Sequence, residues 1–182
     1  MSEILGVLFK YLLALLAIVA VAVVFYEALG SSKTSTAVAD VTQIQANIYQ
    51  LYAGSSGTFT PIPTANVIGS GVIPADMVSG TNIVSPIDGL VITPSAASTA
   101  PIMLSLSFPN VAVSACSKIA VAAITAGASI AVGSTATVGQ AQLSAGTLAA
   151  NVATACTPAS GASTVTLTVN FYANSADSAG AS

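Results

Sequence analysis

The feature that most constrains this chain is one apolar run near its N-terminal end. Residues from Val7 to Tyr26 are apolar, and Lys10 alone interrupts them. Because a helix rises about 1.5 Å per residue, a run of this length covers roughly the 30 Å core of a bilayer. A helix that is apolar on all sides has to be buried, either in lipid or against other helices. We therefore predict a membrane helix joined to a more polar C-terminal part.

A secretory signal peptide is the alternative interpretation of this run. Signal peptides place a basic segment before an apolar stretch of roughly 7–15 residues, followed by a small-residue cleavage site. Here the run is longer and no basic segment precedes it. The sequence Ala20-Val21-Ala22 resembles a cleavage site but lies inside the run. We expect Met1 to be the working N-terminus, and the sequence leaves open whether a leader was removed before it.

Charged residues are scarce in this chain. Only 5% of the residues are charged, histidine is absent, and lysine and arginine together number 3, whereas a soluble domain carries about 25% charged residues. Because binding to phosphates needs clustered basic side chains, we expect no contact with nucleic acid. Few groups titrate between acidic and neutral pH, so we hypothesise that the folded head tolerates acid. Melting of the head between neutral pH and about pH 2–3 would contradict this hypothesis.

Catalytic motifs are missing as well. The sequence has no histidine, no cluster with metal-ligand spacing, no Gly-x-Ser-x-Gly and no phosphate-binding loop. The nearest carboxylate pair, Asp76 and Asp88, falls in predicted loops with no sequence reason to converge. Lys118 is most simply a solvated helix residue, and serine and threonine lack an activating base. We expect no enzyme, no cofactor and no metal site.

Cys116 and Cys156 are the two cysteines of the chain. An even number of cysteines in an exported chain favours a disulfide. Such a bond would close a loop of about 40 residues and stabilise the fold by roughly 4 kcal/mol. Two buried free thiols are the alternative interpretation.

An amphipathic pattern continues the helix beyond the apolar run. Its apolar members recur at spacings of 4, 3, 4 and 3 residues and predict a stripe that packs on the head: Ala37, Val41, Ile44, Ile48 and Leu51. We expect the residues between them, Asp40, Gln43, Asn47 and Gln50, to face elsewhere. The helix should end at the loop signal 54–57. The predicted division is therefore an N-terminal helix 1–53, with an apolar half 1–29 and an amphipathic half 30–53, and a globular head 54–182.

The head shows the signals of an α+β fold. Asp88-Gly89 predicts a hairpin turn, and residues 102–108 and 164–171 alternate as the central strands of an antiparallel sheet with one solvated face. Two helices are expected between these strands, Val113 to Thr125 and Ser144 to Thr154, with Ser144 as the N-cap of the second. A further strand is expected at Ser129 to Val132, and we expect the small polar tail from Asn174 to be mobile.

Several of these pieces together resemble a known family. In chain order they are the half-apolar, half-amphipathic helix, the stretch 39–52 with its Gly/Ser loop, the stretch 72–80, the Pro-x-Asp-Gly turn 86–89, the helix start 113–116, and Ala155-Cys156 before a threonine-rich last strand. The order of these pieces over roughly residues 1–172 resembles the type IVb pilins, in particular the PilS-like major pilins.

The resemblance implies a pilin fold and a filament subunit. In that family the apolar half-helices pack into a central bundle, the heads coat it, and a C-terminal disulfide loop shapes the surface. It also implies a homopolymer, a prepilin peptidase and a pilus assembly machinery, with the subunit held in the bacterial inner membrane before it joins an extracellular pilus. A non-closing contact between identical subunits generates such a helical polymer.

The start of the helix departs from the family pattern. Pilins usually carry glutamate at the fifth mature position, whereas this chain has Leu5 and places its glutamate at Glu3. Because an uncompensated charge in an apolar medium is costly, we hypothesise that Glu3 pairs with Lys10 or with the Met1 amine of a neighbouring subunit. The alternative is that both charges lie at the membrane interface, with Lys10 extending its ammonium group to water.

Other exported proteins could carry a similar head. A minor pilin or pseudopilin of a secretion system, or a membrane-anchored binding module, is the alternative to a major pilin. Long filaments seen by electron microscopy would distinguish the major pilin. Whether such a filament serves cell adhesion, conjugation or motility is not resolved by the sequence.

Overall fold

The computed structural model describes residues 30–52, 62–95, 102–133, 137–158 and 161–173. The chain divides into two units, Met1–Lys33 and Thr34–Ser182. The predicted apolar run, the loop signal 54–57 and the tail from Asn174 all lie outside the described residues. Within the described ranges, no helix combines the length and the apolar character needed to cross a bilayer.

The first helix, α1, covers residues 30–52 of the described chain. No proline or further glycine interrupts these residues after Gly30, and the apolar stripe recurs with helical periodicity. In the second unit, residues 34–52 of this helix contribute side chains to the hydrophobic core of the head. Two 3-10 turns follow, Thr64–Asn66 and Ala75–Met77.

Six strands form one antiparallel sheet in the order β1-β2-β3-β4-β6-β5. Their bounds are β1 Val78–Ser79, β2 Asn82–Val84, β3 Val91–Ser95, β4 Ile102–Ala112, β5 Ser129–Val132 and β6 Thr164–Tyr172. The long strands β4 and β6 pair at the centre, with Leu106 opposite Val169 and Phe108 opposite Leu167. The α+β class, the central strands and the strand at Ser129–Val132 are as predicted.

The hairpin between β2 and β3 turns at Asp88-Gly89, as predicted. Gly89 has φ +73°, which a residue with a side chain rarely adopts. The Asp88 carboxylate accepts a hydrogen bond from the Leu90 amide at 3.1 Å. Asp88 and Gly89 therefore do what aspartate and glycine usually do in turns: the aspartate side chain bonds to the backbone two residues on, and the glycine adopts a positive φ.

The prediction that the central strands keep one solvated face is wrong for β4. Met103 and Ser105, on the face predicted to be polar, are buried, as are Leu104 and Leu106 on the other face. Burial is tolerated at Ser105 because its hydroxyl donates to Asn170 Oδ1 on β6 at 2.7 Å. The face predicted to be polar stays exposed in β6 at Thr164 and Thr166, whereas the exposed residues of β4 lie near its end, at Asn110 and Ala112.

The three remaining helices lie between β4 and β6 in the sequence. Helix α2 spans Val113–Thr125, as predicted, and packs on β4, β5 and β6. The single helix predicted from Ser144 is instead two, α3 at Gln140–Ser144 and α4 at Leu148–Ala155. Ser144 therefore ends a helix and is not an N-cap. Gly146, with φ +71°, separates the two helices because a left-handed residue cannot continue either one.

Candidate functional site

The structure points to the attachment of α1 to the head as the candidate functional site, here called the helix–head contact. Four members of the apolar stripe, Ala37, Val41, Ile44 and Ile48, are fully buried in the core of the head. Leu51, which the sequence places on the same stripe, is instead 49% exposed. In the last described turn of α1, Tyr52 packs against the core in its place.

Gln45 ties one edge of this stripe to the last strand. Its Nε2 donates to the Tyr172 carbonyl at 2.8 Å, and its Oε1 accepts from the Tyr172 amide at 3.4 Å. Both groups are buried, so the side-chain amide satisfies two backbone groups at the end of β6 that water cannot reach. This contact holds α1 in register against β6.

The polar network continues from Tyr172 into the sheet. The Tyr172 hydroxyl lies 2.7 Å from Ser129 Oγ on β5 and is buried. Burial raises the pKa of Tyr172, and the hydrogen bond to Ser129 partly opposes that rise. Because each of these buried groups has a hydrogen-bond partner, the network stabilises one arrangement of α1 with β5 and β6.

Asn47 makes a second tie at the opposite edge of the stripe. Its Nδ2 donates to the Val72 carbonyl at 2.9 Å, in the segment just before the 3-10 turn Ala75–Met77. The neighbouring Met77 is buried and belongs to the core. The segment 72–77 is therefore tied to α1 at Val72, and Met77 anchors it in the hydrophobic core.

The same edge carries a carboxyl pair that the sequence did not predict. Asp40, expected to face away from the head, is buried with 4% of its surface exposed. Its side chain is hydrogen-bonded to that of Asp76, and its Oδ2 has no hydrogen-bond partner among the described residues. Burial, the charge of Asp76 and this hydrogen bond together raise the pKa of Asp40 to about 6.

The sequence contains a local signal for the burial of Asp40 but none for its pairing with Asp76. Asp40 lies three residues after Ala37 and four before Ile44, so helical geometry puts it on the flank of the buried stripe. Asp76 is far away in sequence, and no spacing rule connects a helix residue to a distant turn. The sequence analysis gave Asp76 and Asp88 no reason to converge, and the structure instead brings Asp76 together with Asp40.

The disulfide joins two helices of the head. Cys116, in the first turn of α2, is bonded to Cys156, which caps the end of α4, with 5.9 Å between the Cα atoms. Both cysteines are buried. The bond therefore attaches the short α4 to the longer α2, which packs on the sheet.

Two further predictions concern the charged residues near the N-terminus and the binding of metals. Glu3 and Lys10 lie outside the described residues, so their pairing stays a prediction. Across the described ranges, no group of three or more histidine, cysteine or acidic side chains comes together as metal ligands would. The site assembles contacts that join a helix to a sheet, together with one pair of carboxyl groups.

Comparison with known proteins identifies the family. The sequence profile described as PilS N terminal matches residues 31–170, which cover α1 from its second described residue, the disulfide and all of the sheet except the last two residues of β6. Searches of curated proteins and of solved structures found no significant match. Since the profile covers well over half of the 182 residues, the chain belongs to the PilS family and is a PilS-like type IV pilin.

Proposed function

We propose that this chain is the structural subunit of an extracellular type IV pilus filament, a homopolymer of the pilin fold. The observation that supports this most directly is the helix–head contact. A stripe of four fully buried apolar side chains, with polar ties at both edges, joins α1 to the sheet. Force applied to the N-terminal helix would therefore pass into the head through many contacts at once, as a filament under tension requires.

The proposal gives the apolar run a role in assembly. Residues 7–26 would be held in the inner membrane first and would then pack against copies of themselves, which buries the same surface in both states. The chain would divide into the assembly half 1–29, the head-packing half 30–53 and the head 54–182. A prepilin peptidase and the pilus assembly machinery are the partners that this pathway needs.

A structural role also agrees with the chemistry of the head. The sequence has no histidine to activate a serine or threonine, and both cysteines are joined in the disulfide. We therefore propose that the head builds and covers the filament and carries no catalytic site.

Shearing cells that express the chain tests the filament directly. We expect long filaments by electron microscopy, composed of this chain by mass spectrometry. Only single copies after gentle detergent extraction, with nothing released by shear, would contradict the proposal. Short stubs would favour the minor pilin or pseudopilin.

The charge near the N-terminus gives a separate prediction. If Glu3 pairs with Lys10 or with the amine of a neighbouring subunit, the variant Glu3→Gln should lower the yield of sheared filaments by about tenfold, since an uncompensated charge costs several kcal/mol in an apolar medium. The matched control is Glu27→Gln, outside the apolar run. Equal yields from wild type and Glu3→Gln would remove Glu3 from assembly.

A further inference from the structure

The hydrogen bond between the two carboxyl groups at the edge of the helix–head contact requires a proton. Two carboxylate groups both accept hydrogen bonds, so a hydrogen bond between them needs one proton. Asp40 is buried while Asp76 is exposed to solvent, and the pair therefore lies where α1 meets the outer surface of the 3-10 turn Ala75–Met77. A proton can reach the pair from water although Asp40 itself is covered.

No cation in the described part of the chain neutralises the pair. The one charge that acts on Asp40 there is that of Asp76; neither Lys33 on the same helix nor Lys118 on α2 contributes. Oδ2 of Asp40 has no hydrogen-bond partner among the described residues. If both carboxyls were ionised, two like charges would face each other with one of them buried, which is costly.

We propose that Asp40 and Asp76 share one proton in the folded head and form an acid-stabilised clasp between α1 and the turn Ala75–Met77, which loosens when the proton leaves. Asn47 does not titrate and holds Val72 to α1 in either state. Loosening is therefore confined to residues after Val72, as far as the buried Met77 and the start of β1 at Val78.

The direction of the effect follows from the balance of protons. Burial and the neighbouring carboxyl raise the pKa of Asp40 from 3.8 to about 6. Between these two values the folded chain binds more protons than the unfolded chain, so the clasp is closed in acid and weakens as the pH rises through about 6. The head is then most tightly joined to α1 below that pH.

The test is a carboxyl titration of the full chain in detergent micelles. With 13C-labelled aspartate, one carboxyl carbon should titrate with a midpoint near 6, and this signal should disappear in Asp40→Asn. In the same samples, hydrogen-exchange protection of the Met77 amide, which donates to Pro74 O at 3.1 Å, should fall about tenfold from pH 5 to 7.5 after correction for intrinsic exchange.

Three variants decide the result. In Asp40→Asn the new amide donates to Asp76 without a proton, so protection of Met77 should stay constant with pH. In Asp76→Asn the new amide donates to ionised Asp40, and the midpoint should move down from about 6, although burial, the largest cause of the rise, remains. This variant also serves if Asp40→Asn does not fold. The control Asp88→Asn, in the exposed hairpin turn, should keep the wild-type behaviour.

Three outcomes would overturn the clasp. The first is an Asp40 midpoint near the ordinary value of about 4 in the wild type. The second is a midpoint near 6 with no change in the protection of Met77, since the proton would then hold nothing together. The third is an equal loss of protection in wild type and Asp40→Asn.

Discussion

At the scale of single residues, Gly127 has the strictest requirement for glycine among the described glycines of the head. It lies in the turn between α2 and β5 with φ +102°, and a Cβ atom built there would overlap the hydroxyl of Tyr49 from α1. Both the backbone conformation and the close approach of a side chain therefore require glycine. The Tyr49 side chain of α1 therefore occupies the space beside the turn that follows α2.

We expect Gly127→Ala to destabilise the fold by about 2–4 kcal/mol, the sum of the left-handed backbone cost and the overlap with Tyr49. The matched control is Gly133→Ala, where φ is +58° but a Cβ meets nothing within 4 Å. That change should cost only about 1–2 kcal/mol. Urea unfolding of the full chain in detergent measures both values.

The overlap can be separated from the backbone cost by a double-mutant cycle. In a Tyr49→Phe background the hydroxyl is gone, so Gly127→Ala should cost about 1–2 kcal/mol less than in the wild type. Equal costs in both backgrounds would show that the contact with Tyr49 does not decide the requirement for glycine.

At the scale of elements, the sequence predicts those whose signals are local. The alternation in β6, the Asp88-Gly89 turn and the bounds of α2 were all predicted because each depends on neighbouring residues. The break at Gly146 was missed because the apolar pattern runs on across it. Asp40 was misplaced although its position on the flank of the buried stripe is a local signal, and its partner Asp76 was missed because it is distant in sequence. Leu51 was misplaced because Tyr52, not Leu51, packs against the core.

The disulfide gives a prediction for α4. A helix of 8 residues is too short to be stable alone, so its attachment to α2 through Cys116 and Cys156 should matter. We expect the double variant Cys116→Ala, Cys156→Ala to lose about 2–4 kcal/mol and to lose amide protection in α4 before α2.

Thr154→Ala, on the exposed side of α4, is the control for this change. It removes a hydroxyl that bonds back to Ala150 O and should alter stability by less than about 0.5 kcal/mol. Loss of protection in α2 and α4 at the same rate would show that the bond does not hold α4 in particular.

At the scale of the whole molecule, the scarcity of charge and the raised pKa of Asp40 act in the same direction. The chain has 6 acidic residues and no histidine, so few groups can drive acid unfolding. Asp40 adds stability at low pH because its pKa rises from 3.8 to about 6 on folding. The free energy of unfolding should therefore increase as the pH falls through this window.

We expect the full chain to be more stable at pH 4 than at pH 7 by about 1–3 kcal/mol, as read from urea midpoints. In Asp40→Asn this difference should shrink to less than about 1 kcal/mol. A wild type that is less stable at pH 4 than at pH 7 would contradict both this prediction and the acid-tolerance hypothesis.

The bond between Cys116 and Cys156 also keeps the chain joined after a protease cuts between the two cysteines. Lys118 is the one lysine of the second unit, and no arginine accompanies it. Because it lies between the two cysteines, a trypsin-like cut after Lys118 leaves Cys116 on one fragment and Cys156 on the other. The nicked chain therefore stays a single covalent molecule, and a fibre built from it would keep its length through such damage.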